Sequence, residues 1–434
     1  MTQSHRSASQ HLHRSVETPA PRAESPLAKL CRRVLFGQLE GMTSGYLEVK
    51  IGADRFEFGD PGSPDRVQAA IHDPSFWPAA ATGSVGLGEA YMNGLWDVDD
   101  LTSLIRIAAS NEQLARTYDF RYAKLLEPAR KLLYWLDRNT REGSRRNITR
   151  HYDLGNDLFR LFLDPTMMYS CGVFPTAESS MQEASVAKLD LICRKAQLRP
   201  EHHVLEIGTG WGGFAIHAAK HYGCRVTTTT ISREQHDLAC ERVREAGLED
   251  RIEILLEDYR DLKGHYDRLV SIEMIEAVGH QYLEGFFRVC SERLKADGIM
   301  VLQAITIRDQ EYDKARSTVD FIKRHIFPGS CLPSLQEMNR CTAKVTDLTI
   351  THVEDIGLHY ATTLQHWRDA FHQNADAIRA LGYDERFMRM WHFYLCYCEA
   401  GFLERRISDV HLVAHKPQAR SAWLTVPEAM AQPA

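Results

Sequence analysis

The sequence predicts an α/β protein: a doubly wound, largely parallel sheet with helical insertions, preceded by a small α+β domain. Three observations carry this. From about residue 203 onward, short apolar or β-branched runs alternate with segments of helical spacing. The first of these runs ends in a cluster of glycines that opens directly into a helical segment. Before residue 120, strand-like alternation and helical spacing occur without that repeat.

Residues 1–26 contain Ser, His, Arg and Pro but no apolar run, so they read as a disordered tail without a secretory signal. A short helix is expected from Leu27. GYLEVKIGADRFEFGD (45–60) then reads as two strands joined by a turn at Gly52–Ala53–Asp54, and GLGEAYMNGLWDVDDLTSLIRIA (86–108) has apolar residues spaced for helices. Together these give a small domain over 27–120. The stretch 121–147 is rich in Arg and Lys and reads as a charged helical connector, which leaves 148–434 for the larger domain.

In that larger domain HVLEIG (203–208), RVTTTTI (225–231), RIEILLED (251–258), DRLVSI (267–272) and GIMVLQAITI (298–307) are the expected strands. FAIHAAKHY (214–222) and roughly 233–246 are helices between them, and DVHLVAHKP (409–417) is expected as an antiparallel edge strand. The segments 310–345 and 358–406 are mostly helical and too long for simple crossovers. Insertions after the carboxyl ends of strands are where such sheets place substrate pockets.

Composition removes several function classes. The 434 residues carry a net charge of −6, which disfavours a general nucleic-acid binder. The ten cysteines show no metal-type pairing, since Cys396 and Cys398 have the wrong spacing and no nearby partner pair, so no metal site is expected. They fit reduced thiols in a cytosolic protein. No stretch approaches the roughly 18 apolar residues of a membrane span. Arg6, Arg14, Arg22, Lys29, Arg32 and Arg33 face only Glu17 and Glu24 near the amino terminus. That excess reads either as a solvated tail or as attraction to anionic lipid headgroups, roughly 1 kcal/mol per residue near a surface.

VLEIGTGWGG (204–213) sets Gly208, Gly210 and Gly213 between a strand and a helix, where the backbone can turn sharply and approach a ligand without a Cβ in the way. Dinucleotide enzymes share such glycines. Two details favour S-adenosylmethionine (SAM) over NAD. Glu206 stands within the strand before the glycines, and the second strand ends in Thr230, Ile231, Ser232 and Gln235 rather than in the acid that would hold the NAD ribose. The third strand ends in Asp258–Tyr259, where an acid can accept from an adenine amino group and a ring can stack on it.

Several separate blocks then carry a resemblance. They are HYDLGNDLFRLFLDPTMMYSCGVF (151–174), the glycine loop, TISREQ (230–235), LEDYRDL (256–262), SIEMIEAVG (271–279), FIKRHIFPGSCLPS (321–334), LHYATTLQHW (358–367) and, before them, LGEAYMNGLWDVDDL (87–101). Over about 85–415 the chain resembles the cyclopropane-fatty-acyl-phospholipid synthases, with their mycolic acid and plant relatives. The resemblance implies a Rossmann-like SAM-dependent methyltransferase domain that adds a methyl group to a cis double bond of an unsaturated phospholipid in a bilayer. It implies a cytoplasmic enzyme at the inner face of the membrane, leaves a homodimer open, and gives no role to nucleic acid.

By motif, the implied SAM contacts are Tyr169, Ser170, Gly208, Gly210, Thr230, Gln235, Asp258 and Tyr259. The family's base is a bound bicarbonate, whose implied holders here are Cys171, Glu276, Gln303, Ile305 and Tyr360. A cation forming on the lipid calls for an apolar, aromatic wall. The insertions supply Phe321, Phe327, Tyr360, Trp367, Trp391, Phe393 and Tyr394, of which Tyr360 is singled out. Lys323, Arg324 and His325 read either as headgroup contacts or as an amphipathic helix end.

Three positions depart from the bacterial pattern: Gln303 replaces a usual His, Ala277 gives EAVG in place of EHVG, and Thr209 gives GTG in place of GCG. An amide can donate hydrogen bonds but cannot carry a proton. Plant-type members share Gln and EAVG, so activity need not be lost; Gln303 and Ala277 bear on the product, and Thr209 is expected to be silent. The same first step with a different proton loss gives a methyl- or methylene-branched chain, on the way to furan fatty acids in some lineages. A lipid-binding protein that kept the fold is the non-enzymatic alternative. An NAD oxidoreductase would lack its ribose acid and its catalytic pair.

Overall fold

The computed structural model describes residues 23–111 and 154–420. The charged connector over 121–147, the first 22 residues and the last 14 lie outside them.

The amino-terminal part holds four strands: β1 (Tyr46–Ile51), β2 (Asp54–Gly59), β3 (Arg66–Ile71) and β4 (Trp96–Val98). They lie in the order β2-β1-β3-β4. β1 pairs antiparallel with β2 in the expected hairpin, and parallel with β3, a strand the sequence reading did not distinguish. Helix Pro26–Leu39 starts one residue before the expected Leu27, because Ser25 caps it and proline suits its first turn. Asp100 caps helix Leu101–Ser110 by accepting from the Ser103 N–H at 2.9 Å.

The larger sheet has seven strands: β5 (His203–Ile207), β6 (Arg225–Thr229), β7 (Ile252–Leu255), β8 (Tyr266–Ile272), β9 (Leu294–Ile307), β10 (Thr349–Asp355) and β11 (Ile407–His415). Their order is β10-β11-β9-β8-β5-β6-β7. β7 to β9 run parallel through β6, β5 and β8, so the sheet is doubly wound about the junction of β5 and β8. One expectation needs correction. The 409–417 run does form an antiparallel strand, but an interior one: β11 pairs with β9 on one side and with β10 on the other, and β10 is the edge. The apolar run VHLVAH is buried throughout, as an interior strand requires, whereas β10 alternates exposed and half-buried residues.

The long insertions fold into helices Asp309–Ser317, Leu335–Val345, Gly357–Gln373 and Glu385–Leu403, with a π-helical turn at Ile322–Ile326. The last of these helices shares one apolar core with the four-stranded sheet, through Tyr91, Trp96, Trp391 and Phe393. Arg389 fastens the contact: its guanidinium donates to the Tyr91 and Trp96 carbonyls and to Asp97 Oδ1. A buried Arg368–Glu399 pair beside Thr102 does the same nearby.

Candidate active site

In a doubly wound sheet ligands bind beyond the carboxyl ends of the strands flanking the point where the winding reverses. Here those strands are β5 and β8. The chain leaves β5 through Gly208 and leaves β8 through Glu273. A cavity of about 1280 Å³ opens at this point. Sites for single small ligands measure roughly 300–1,000 Å³, so this one has room for more than one ligand.

One end of the cavity is the glycine loop. The N–H groups of Gly208 and Thr209 both donate to the Thr229 carbonyl at 3.1 Å, which turns the backbone sharply off the strand. Gly208 and Gly210 have φ of +104° and +52°, and a Cβ on Gly210 would meet no protein atom, only the cavity. Gly213 has a different reason: a Cβ there would come within 2.5 Å of Met168 Sδ and 2.8 Å of the Thr166 carbonyl, so this glycine serves packing. Glu206 lines the same end, buried, and its Oε2 has no partner among the described residues. Burial pushes its carboxyl up to about 8. Thr230 donates to Gln235 Oε1 at 2.8 Å, and both residues reach the cavity wall with Tyr169, Ser170, Asp258 and Tyr259. Asp258 is also held by Arg260, whose Nε donates to Oδ1 at 2.7 Å.

The middle of the cavity is acidic. Glu276, on the turn after β8, accepts from the Ile305 N–H at 2.6 Å through Oε1, while its buried Oε2 has no partner among the described residues. Burial first, and the nearby Glu273 second, push it up to about 8. Glu273, which the sequence reading passed over, is the most connected group here. Its Oε1 accepts from the Cys171 N–H at 2.8 Å and from Gln303 Nε2 at 2.7 Å, and its Oε2 accepts from the Tyr360 hydroxyl at 2.6 Å.

Two expected site residues therefore lie behind the cavity wall. Gln303 is wholly buried within β9, four residues before its end. Its amide nitrogen also donates to Asp409 Oδ2 at 2.8 Å, and its oxygen faces His411 Nε2 at 3.1 Å. Cys171 is wholly buried as well, and burial raises its thiol well above the usual range, so it acts through its backbone N–H. Ile305 and Tyr360 line the cavity.

The donors assigned to a bicarbonate do not fit a further anion. Those of Cys171, Gln303 and Tyr360 are engaged by Glu273, and that of Ile305 by Glu276. Another negative charge would sit against the half-buried Glu273 and the buried Glu276 without these donors.

The far end of the cavity is apolar. Leu47, Val49, Ala69 and Ile71 from the four-stranded sheet line it, with Trp77 and Leu104. Of the aromatic residues in the insertions, Phe327, Phe393 and Tyr394 line the cavity along with Tyr360, while Phe321, Trp367 and Trp391 are packed in the core. Lys323 points inward and donates to the Thr318 carbonyl at 3.0 Å, and His325 faces Glu89 at 3.1 Å, which leaves Arg324 exposed on that turn.

The sequence family described as mycolic acid cyclopropane synthetase matches residues 139–412. The chain belongs to this family. It is 41% identical over 327 residues to the tuberculostearic acid methyltransferase UfaA1 of Mycobacterium tuberculosis, covering 74% of this chain and 76% of that one. It is 37% identical over 346 residues to the cyclopropane-fatty-acyl-phospholipid synthase of Escherichia coli K12, covering 78% and 85%. Among solved structures, the mycolic acid cyclopropane synthase CmaA1 complexed with SAH and CTAB is similar at a TM-score of 0.59 and 32% identity, covering 63% of this chain and 98% of that one. The cyclopropane synthase MmaA2 from Mycobacterium tuberculosis is similar at the same TM-score and 30% identity, with the same coverage. This family member is a SAM-dependent methyltransferase with a Rossmann-like fold.

Proposed function

We propose that the enzyme transfers the SAM methyl group to a cis double bond in the acyl chain of an unsaturated phospholipid and closes a cyclopropane ring. The observation that carries this reading is the continuity of one cavity from the glycine loop, past the two glutamates, to apolar walls in the four-stranded sheet. A long hydrocarbon can lie along the apolar end while its double bond reaches the acidic middle. Gly208, Gly210, Thr230, Gln235, Asp258 and Tyr259 would hold SAM, and Glu206 Oε2, which has no partner among the described residues, suits the cationic amino group of that molecule. SAM supplies an electrophilic methyl group on a sulfonium sulfur. Phe327, Tyr360 and Phe393 line the cavity, and an aromatic wall there would keep out water and favour a positive charge on the lipid.

Docking to a bilayer is supported by helix Pro26–Leu39. Leu27 and Leu30 are 53% and 48% exposed beside Lys29 and Arg33, whereas Leu35, Phe36 and Leu39 on the same helix line the cavity. Among the described residues no helix is long and apolar enough to cross a membrane.

A second reading keeps the first step and ends in a methyl- or methylene-branched chain; the 41% identity to a protein named as a tuberculostearic acid methyltransferase favours it. The test is expression in a host lacking its own cyclopropane synthase, followed by lipid analysis. Cyclopropane and methylene products are isomers, each one CH2 heavier than the substrate chain, so ring-proton signals in NMR must separate them. S-adenosylhomocysteine release without any lipid change would remove both readings.

A further inference from the structure

We propose that the Glu273 carboxylate is the proton acceptor of the reaction, occupying the cradle of donors that the family resemblance gives to a bicarbonate. The inference rests on the reading above, in which the chain methylates an alkene.

The geometry is that of an anion site already filled by the chain. Three donors from three distant segments converge on this carboxylate: Cys171 N–H, Gln303 Nε2 and Tyr360 OH, at 2.6–2.8 Å. Donors aimed at a carboxylate favour its charged form. The buried Lys188 adds a positive charge in the same region, donating to Ser170 at 2.8 Å. Glu276, by contrast, is held by backbone N–H groups alone, that of Ile305 at 2.6 Å and its own. Glu273 is therefore the better anion of the two, and it lines the cavity.

The backbone gives an independent sign. Glu273 has φ of +47°, one of four described non-glycine residues in the left-handed region. A side chain there is strained, and glycine would remove the strain. Such strain persists where the surroundings over-determine it. Here the carboxylate is held from in front by Tyr360 and from behind by a directed chain: Lys195 Nζ lies 2.7 Å from His411 Nδ1, His411 Nε2 donates to Gln303 Oε1, and the Gln303 amide donates to both Glu273 and Asp409. Each member has one consistent donor–acceptor orientation, which fixes the Gln303 amide. Gln303 and Tyr360 are positioning residues in this account.

The step balances without an added reagent. The alkene π pair forms the new C–C bond to the methyl carbon, and the C–S bonding pair stays on sulfur as S-adenosylhomocysteine. The C–H pair of the new methyl group then becomes the ring bond, and its proton passes to Glu273. Oε1 accepts from two N–H groups and Oε2 from one hydroxyl, so Oε2 is the atom with a lone pair to take it.

The test compares the full-length wild type with Glu273→Gln and Glu273→Gly, the second a variant that relieves backbone strain and so folds. Two measurements are made: binding of 13C-labelled bicarbonate by NMR, without lipid, and S-adenosylhomocysteine release on vesicles of unsaturated phospholipid, in CO2-free buffer and with added bicarbonate or formate. Wild type is expected to bind no bicarbonate and to turn over equally in both buffers. Both variants should keep SAM affinity within about threefold and lose about 100-fold or more in turnover, the scale of a removed general base. Glu273→Gly alone should bind bicarbonate and recover at least about tenfold with the small anions. Bicarbonate binding by the wild type, or wild-type turnover in Glu273→Gln, overturns the proposal. A wild type that releases nothing on any vesicle but binds no bicarbonate sinks the lipid reading and leaves the filled cradle standing.

Discussion

The Tyr360 hydroxyl donates to Glu273 Oε2 at 2.6 Å, joining a helix of the carboxyl-terminal insertion to the turn after β8. The ring of Tyr360 is held independently, stacked on Phe402 with centroids 4.5 Å apart. Tyr360→Phe therefore removes one donor and little else. A hydrogen bond to a charged group is worth about 1.5–3 kcal/mol, or about one to two pH units at 1.4 kcal/mol per unit. Glu273 already stands above the usual carboxyl range because of its burial, with Cys171 N–H, Lys188 and Tyr360 opposing the rise and the acids Asp409 and Glu276 close by. Losing Tyr360 raises it further. The acid limb of the turnover–pH profile should move to higher pH, with SAM affinity unchanged; an unmoved limb would show that Tyr360 does not act through Glu273.

Gly210→Val should abolish SAM binding while the protein still folds. The added carbons meet no protein atom, but they enter the cavity. The left-handed backbone adds strain of about 1–2 kcal/mol, visible as a modest fall in melting temperature. Calorimetric titration with SAM decides: wild-type affinity would mean that this loop does not hold the cofactor.

The glycine loop and the alternation of strands and helices were legible because each depends on local chemistry: backbone freedom at Gly208 and Gly210, β-branched runs such as RVTTT. The interior position of β11 was not, since an apolar strand looks alike wherever its neighbours come from. Glu273 stands in the same SIEMIEAVG block as Glu276, and nothing in the spelling says which acid gathers the donors. Its partners arrive from residues 171, 303 and 360, and its positive φ is a property of the folded backbone. Lys188 left a faint signal, a charge in register with Ala184, Leu189 and Ile192 on the buried face of its helix.

Leu27→Glu and Leu30→Glu test the docking helix. Both side chains are about half exposed, so their replacement should shift stability by no more than about 0.5 kcal/mol. Vesicle cosedimentation should weaken, more so on anionic than on neutral lipid if Lys29 and Arg33 contribute. Turnover on a detergent-dispersed short-chain substrate should stay at wild-type level. Equal cosedimentation of the variants and the wild type would remove this helix from the membrane contact.

Glu276→Gln separates stability from function, and the direction follows from proton linkage. Burial and the neighbouring Glu273 push Glu276 from the ordinary 4.5 up to about 8 in the folded protein. Between those values the native state holds a proton that the unfolded chain has released, so this group lowers stability progressively as pH rises, by at most about 1.4 kcal/mol per unit. Below 4.5 both states are protonated and the contribution vanishes; above 8 both are ionised and the loss is complete. Gln keeps the shape, can still accept from the Ile305 N–H, and never ionises. Its melting temperature should match that of the wild type near pH 4.5 and exceed it increasingly toward pH 8. Turnover should fall by about 100-fold if the acid also holds a proton beside the reacting carbons, with SAM affinity kept, the pattern of an active site that gives up stability for its chemistry. Parallel melting curves at pH 5 and 8 would mean that Glu276 ionises as an ordinary carboxylate, and the acidic middle of the cavity would then carry two charges rather than one.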